Sequence, residues 1–251
     1  MEIKEIHDSL LILMKKFNHI CEKNGIKYTL HGGTLLGAIR EHGFIPWDDD
    51  IDVAMTREEF NKLKKILVNN SEYYIYGNIK KQFRKKEDTS LWIDIFICDY
   101  IGNGTDRKVK LLLLTILDIM SRDKESIRLS NFSKYSKGKQ IAFRSVYIFG
   151  KIVPYKVKVK LYNHIAENCF LGKKDRYHRS NDQYKGRQED FPKDWMMKFH
   201  KTQFEDTEFY VMGNYADMLR KCYGNNYMTP IQDKCNADVH NLVRGNGGVK
   251  L

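Results

Sequence analysis

The chain has 251 residues, 42% of them hydrophobic and 12% aromatic, a composition that builds a core and excludes a disordered chain. Its formal charge of +11 is local: residues 105–187 carry 20 Lys and Arg against 7 Asp and Glu, a net of +13, and each flank is close to neutral. No apolar run approaches the roughly 20 residues that span a bilayer, MEIKEIHDSL lacks the features of a signal peptide, and five widely spaced cysteines without a CxxC exclude a disulfide framework or a zinc site in favour of reduced, cytoplasmic thiols.

Ile3, Ile6, Leu10, Met14, Phe17 and Cys21 recur every three or four residues, which predicts an amphipathic helix over 2–24 that stops at Gly25. A strand over Ile26–His31, a turn at Gly32-Gly33 and a short helix over Thr34–Arg40 follow. Glu41–Asp49 reads as a loop and Asp50–Ala54 as a strand. Thr56 and Glu59 form a capping box that opens a helix to about Leu67. Tyr73–Ile79 and Leu91–Cys98 read as strands, the second buried and rich in β-branched and aromatic residues. A helix is expected over 107–121. Val157, Val159 and Leu161 alternate with lysines, as in an edge strand or a helix read too locally. A polar loop over 173–188, a helix over Asn214–Tyr223 closed by Gly224, and a frayed tail from Asn241 complete the pass.

PWDDDIDV, residues 46–53, places Asp48, Asp49, Asp50 and Asp52 within five positions. Like charges this close raise each other's pKa unless a cation arrives. A calcium loop would put Asp48, Asp50 and Asp52 at positions 1, 3 and 5, but Val53 stands where the loop's sharp turn requires glycine. A solvated acidic loop fits poorly with the apolar Ile51, Val53 and Met55 that follow. Strand alternation puts Asp50 and Asp52 on one face, away from Ile51 and Val53. Two such carboxylates can hold Mg²⁺ or Mn²⁺ together with substrate phosphates, the chemistry of phosphoryl or nucleotidyl transfer. Asp94, alone acidic inside LWIDIFIC, is the candidate third carboxylate. Upstream, Gly32 and Gly33 permit close approach of a phosphate to the helix that follows. No Gly-Lys-Ser/Thr follows them, so this is not a P-loop.

The order Gly-Gly, Asp-apolar-Asp, then Asp in a later strand resembles the nucleotidyltransferase fold of polymerase β type. GGTLLGAIREHGFIPWDDDIDVAM, IDIFICDY at 93–100 and FEDTEFYVMGNYADMLRKCYGNNYMTP at 204–230 resemble the LicD family, relatives of fukutin and the fukutin-related protein. The resemblance implies an α/β (α+β) domain over 1–240: a core of mixed sheet flanked by helices at 1–104, a basic, mostly helical insertion at 105–187, and a family segment at 188–240 ahead of a flexible tail, 241–251. It implies transfer of a phospho-alcohol, phosphocholine in first place, from a CDP-alcohol to a sugar hydroxyl of a cell-surface glycan, with release of CMP. Carried over, Asp48, Asp50, Asp52 and Asp94 are metal ligands, with Asp94 alternatively the base for the acceptor. Gly32, Gly33 and Thr34 cradle the pyrophosphate, and Arg40 pairs with a phosphate oxygen. A choline headgroup calls for an aromatic cage, for which Trp47 adjoins the acidic cluster and Trp92, Tyr28, Trp195 and Tyr227 are further candidates. The basic segment is expected to recruit a lipid-linked acceptor at the inner membrane surface. A CTP- or ATP-using nucleotidyltransferase acting on a small molecule or RNA is the rival. Intact Asp50, Asp52 and Asp94 speak against a catalytically dead binding module.

Overall fold

The computed structural model describes residues 2–123, 136–168 and 172–230. The expected tail at 241–251 lies outside them. The chain divides into two compact units, one of Met1–Ile97 with the chain from Asp194 onward, the other of Cys98–Lys193. In chain order the elements are α1 (Ile3–Lys23), β1 (Thr29–Leu30), α2 (Gly32–Arg40), β2 (Ile51–Thr56), α3 (Arg57–Leu67), β3 (Tyr73–Tyr76), β4 (Lys81–Lys85) and β5 (Trp92–Tyr100). The second unit continues with α4 (Gly104–Ser121), α5 (Lys137–Gly150), α6 (Tyr155–Glu167), β6 (Arg176–Arg179), α7 (Tyr184–Gln188) and β7 (Asp190–Pro192). After a 3₁₀ turn (Lys193–Met196) come β8 (Phe199–Phe204), β9 (Thr207–Met212) and α8 (Tyr215–Tyr223). This is the mixed α/β architecture of sheet and flanking helices expected from the sequence.

In the first unit the strands run in the order β1-β2-β5-β4-β3. β1 pairs antiparallel with β2, setting Thr29 opposite Ala54 and Leu30 opposite Val53. β4 pairs antiparallel with β5, setting Gln82 opposite Asp94. Ile51, Val53 and Met55 of β2 and Ile93, Ile95 and Ile97 of β5 are buried, and the residues between them on β5, Trp92, Asp94 and Phe96, take the less buried face. α1 buries Leu10, Met14, Phe17 and Cys21 of the expected stripe and Leu13 beside them, while Ile3 at its start is exposed and Ile6 half-buried. The β8–β9 hairpin and α8 join this unit, and the Met212 N–H donates to Thr29 Oγ1 at 2.9 Å.

The local expectations are corrected at three places, and at a fourth the helical alternative holds. Gly32 and Gly33 do not turn the chain; they are the first two residues of α2. β2 begins at Ile51, so Asp48 and Asp50 reach its end from the preceding loop. The polar stretch 173–188 contains β6 and α7, because its arginines are buried by ion pairs. Residues 156–161 belong to α6, whose buried positions are Lys158, Tyr162 and Ala166, one every four residues.

Some of the basic excess in the second unit is internal. Lys110 Nζ, fully buried, donates to the carbonyls of Tyr100, Ala166 and Asn168, at 2.5, 2.7 and 3.0 Å. Lys158 Nζ donates to Met120 O at 2.7 Å and Gly150 O at 2.8 Å, at the C-terminal ends of α4 and α5. Each ammonium satisfies carbonyls that a helix end leaves without an intrahelical partner. Arg179 pairs with Asp182 and Glu189, and Arg187 with Asp118. The last three residues of β5 pair with β6, setting Cys98 opposite Arg179.

His178 is fully buried and its Nδ1 donates to Arg187 O at 3.1 Å. Burial first, and then the charge of Lys110, hold its pKa well below the ordinary 6.5. The unfolded chain therefore takes up a proton near pH 6.5 that the folded chain refuses, and stability falls as the pH is lowered. Lowering the pH from 7.5 to 5.5 is expected to cost on the order of 1 kcal/mol through this group. His178→Asn, which keeps a donor near Nδ1, is expected to start less stable and to show a shallower dependence. Urea unfolding of both proteins at the two pH values checks this, and equal slopes would exclude His178 as the source.

Candidate active site

The site is built around the start of α2. His31, in extended backbone, precedes the helix; its N–H donates to Asp52 O at 2.9 Å, and the Asp52 N–H donates to Thr34 Oγ1 at 2.8 Å. These two bonds fix β2 against the first turn of α2. Gly32 has φ +56°, and a Cβ there would lie closer than 3 Å to Asp52 Oδ2. A Cβ at Gly33 would lie as close to Asp48 Oδ2. The glycine pair thus lets two carboxylates lie directly on the helix N-terminus, where exposed N–H groups and the helix dipole favour negative charge. Further along α2, Gly37 is as tightly packed, since a Cβ there would meet Gly43 O.

The acidic loop is held by residues distant in sequence. His7 Nε2 on α1 donates to Asp48 O at 2.6 Å, and its ring stacks on Phe44 at 4.2 Å. The Phe44 N–H donates to Glu205 Oε1 at 3.0 Å, and the Glu205 N–H donates to His42 O at 2.7 Å. Glu205 sits at the tip of the β8–β9 hairpin with φ +53°.

Carboxylate oxygens of Asp48, Asp49 and Asp50 lie within 4.8 Å of one another. Ionised carboxylates at that separation repel by about 3 kcal/mol per pair at the effective dielectric of a protein surface. The end of α2 offsets about 0.3–1 kcal/mol per charge. Hard oxygen donors converging on one point suit Mg²⁺ or Mn²⁺, and the packing of Asp48 and Asp52 against glycine leaves their carboxylates no freedom to splay toward α2. The donor set fits a divalent cation.

Tyr223, the last residue of α8, faces this cluster. Tyr223 keeps 45% of its surface exposed; desolvation of the phenol, followed by the charge of Asp52 and then of Cys222, Asp48 and Asp50, pushes its pKa above the ordinary value of 10, so it remains an O–H donor. Asp52 is not in the group within 4.8 Å; it stands beside Asp48 at the start of α2, the one packed on Gly32 and the other on Gly33. Asp94 stands outside the group within 4.8 Å; it accepts from Gln82 Nε2 at 2.9 Å and from Trp92 Nε1 at 3.2 Å. Burial raises its pKa, and its two donors only partly oppose this. Phe96, two residues along the same face of β5, meets the ring of His31 at 5.0 Å.

The other sequence candidates fall at different places. Thr34 is buried and its hydroxyl holds Asp52. Arg40 is at the far end of α2, where its Nε donates to Glu41 at 2.6 Å and Nη1 to Tyr227 O at 3.3 Å. Trp47 is half-buried beside Asp48. Tyr28 is fully buried, with its hydroxyl on Asn18, and is a core residue. Asp49, His7, His31, Glu205 and Tyr223 are the site residues that sequence reasoning did not single out; only Asp49 carried a signal, its place in the acidic run.

Residues 25–112 match the family model described as LicD/FKTN/FKRP, nucleotidyltransferase domain. The chain is 27% identical to the lipopolysaccharide cholinephosphotransferase LicD of Haemophilus influenzae, over 89% of this chain and 90% of that one. It is 38% identical to the ribitol 5-phosphate transferase FKRP of human and of mouse over 47 residues, 19% of this chain and 10% of each relative.

Proposed function

We propose that the chain, whose residues 25–112 match the LicD/FKTN/FKRP nucleotidyltransferase model, transfers a phospho-alcohol from a CDP-alcohol to a glycan hydroxyl and releases CMP. The observation that carries the reading is the packing of Asp52 on Gly32 and of Asp48 on Gly33 at the start of α2, with Asp49 and Asp50 clustered around Asp48. Phosphocholine is the favoured cargo, supported by a relative, the LicD of Haemophilus influenzae, that aligns over nearly the whole chain and is named as a cholinephosphotransferase.

In this reading Asp48, Asp50 and Asp52 hold Mg²⁺ or Mn²⁺, with Asp94 completing the set or acting as base. The cation would neutralise charge on the phosphoryl oxygens. The start of α2, with Asp52 packed on Gly32 and Asp48 on Gly33, would present those carboxylates to the cation, and the pyrophosphate would be held through the cation and not on the glycine amides. Tyr223, kept protonated, donates a hydrogen bond toward the anionic cluster. Asp94, held by Gln82 and Trp92 and made more basic by burial, accepts the acceptor's proton. Trp47 offers an aromatic face to the headgroup. Arg40 steadies the C-terminal end of α2 through Glu41 and Tyr227 O, away from the acidic cluster. The acceptor is a cell-surface glycan, lipid-linked forms included, met on the cytoplasmic side. Among the described residues no helix is long and apolar enough to cross a membrane.

A thermal-stability panel tests the donor. CDP-choline, CDP-ethanolamine, CDP-ribitol, CDP-glycerol, CTP and ATP are each added with Mg²⁺. A ligand at 100 times its dissociation constant adds about 2.7 kcal/mol. A metal-dependent rise with CDP-choline is expected. A rise with CTP or ATP and none with any CDP-alcohol would keep the fold and overturn the reaction.

A further inference from the structure

α5 has apolar residues on two faces. Phe143, Val146, Tyr147 and Gly150, spaced three and four apart, form its less exposed side, and Gly150 packs so tightly that a Cβ there would lie closer than 3 Å to the backbone of Met120 at the end of α4. The opposite side carries Ile141 and Ile148, 66% and 63% exposed, and leads into Phe149 at 60% and Ile152 at 77% in the turn to α6. Tyr155, at the start of α6, is also exposed. An exposed apolar side of this kind, set among basic residues, marks a surface that meets another one. Among the described residues nothing covers this second face.

The surroundings decide what would. From Ser136 to Ala166 the chain has seven Lys or Arg and no Asp or Glu. Six of them, Lys137, Lys139, Arg144, Lys151, Lys156 and Lys160, are exposed. The seventh, Lys158, is buried and bonds Met120 O and Gly150 O, so the α5–α6 turn is held stiffly with its apolar residues outward. Apolar residues at the tip of a helical hairpin with lysines around them match the chemistry of an anionic bilayer surface: side chains enter the acyl boundary while the ammonium groups meet lipid phosphates. Each Lys or Arg near such a surface contributes roughly 1 kcal/mol. A second copy of the chain would bring a like-charged face and be repelled.

We propose that the α5–α6 hairpin, through Ile148, Phe149 and Ile152 and the surrounding lysines, docks on a bilayer rich in anionic lipid. The surface shares no residue with the acidic cluster, and the inference does not depend on the transfer reaction. It would keep the chain where lipid-linked molecules are.

The test is co-sedimentation of the full chain with vesicles of equal parts phosphatidylglycerol and phosphatidylcholine, against pure phosphatidylcholine, at low and high salt. Binding to the anionic vesicles is expected, weakened by salt. The double change Phe149→Glu with Ile152→Glu is expected to weaken it at least about tenfold, and Lys151→Glu with Lys156→Glu to weaken it as well. All four positions are exposed, so the melting temperature of each variant should match that of the starting protein, which separates lost docking from lost fold. The proposal is overturned if the unmodified chain stays in the supernatant with anionic vesicles, if the Phe149/Ile152 variant binds them undiminished, or if the same variant instead abolishes a dimer in solution. None of these readouts requires a donor or a metal, so this proposal and the transfer reaction stand or fall separately.

Discussion

Asp52→Asn is expected to lower transfer by about 10²–10³-fold while leaving the metal-free protein as stable as before or more so. The substitution keeps shape and removes one negative charge from a neighbourhood that also contains Asp48 and Asp50. It should abolish the Mg²⁺-dependent rise in melting temperature together with activity. A structural role predicts the opposite pair of results. If Asp52 served only as a counter-charge for the start of α2, its loss would cost about 0.3–1 kcal/mol of stability and spare most of the activity. Melting with and without Mg²⁺, alongside a turnover assay with CDP-choline, separates the two. A variant that melts lower, still responds to Mg²⁺ and turns over at near the original rate would sink the assignment of Asp52 to the metal.

The acidic cluster was legible because it breaks a local rule: four aspartates lead straight into a buried strand. The helix α1 and the strand β5 were legible because their apolar residues keep an uninterrupted period. α6 was harder, since Val157, Val159 and Leu161 imitate a strand over five residues and the true buried stripe begins with a lysine, Lys158. β4, KQFRK, offers one buried apolar residue, Phe83, and gives no alternation to read. The grip of His7 on Asp48 and of Glu205 on Phe44 joins positions 41 and 161 residues apart, and no local pattern encodes such contacts. Tyr223 reaches the site in the same way, from the end of α8. The two glycines were rightly noticed for their lack of a side chain. What the sequence could not reveal is that the space they leave is taken by the protein's own carboxylates.

That last point gives a sharp comparison between two glycines. Gly25 and Gly32 share a left-handed backbone, φ +62° and +56°, but nothing lies within 4 Å of a Cβ at Gly25, whereas one at Gly32 would meet Asp52 Oδ2. Gly25→Ala is therefore expected to cost only the backbone strain, about 1–2 kcal/mol, with activity retained. Gly32→Ala bears the same strain and must in addition push the Asp52 carboxylate off the start of α2. Displacing a metal-binding carboxylate by about 1 Å is expected to lower turnover by about 10²-fold. The difference between the two variants cancels the shared strain and leaves the contact. Chemical denaturation and turnover measured on both would show it. Should Gly32→Ala behave like Gly25→Ala, with equal loss of stability and full turnover, close packing of Asp52 on α2 would be dispensable and the carboxylates would have to reach their cation by another arrangement.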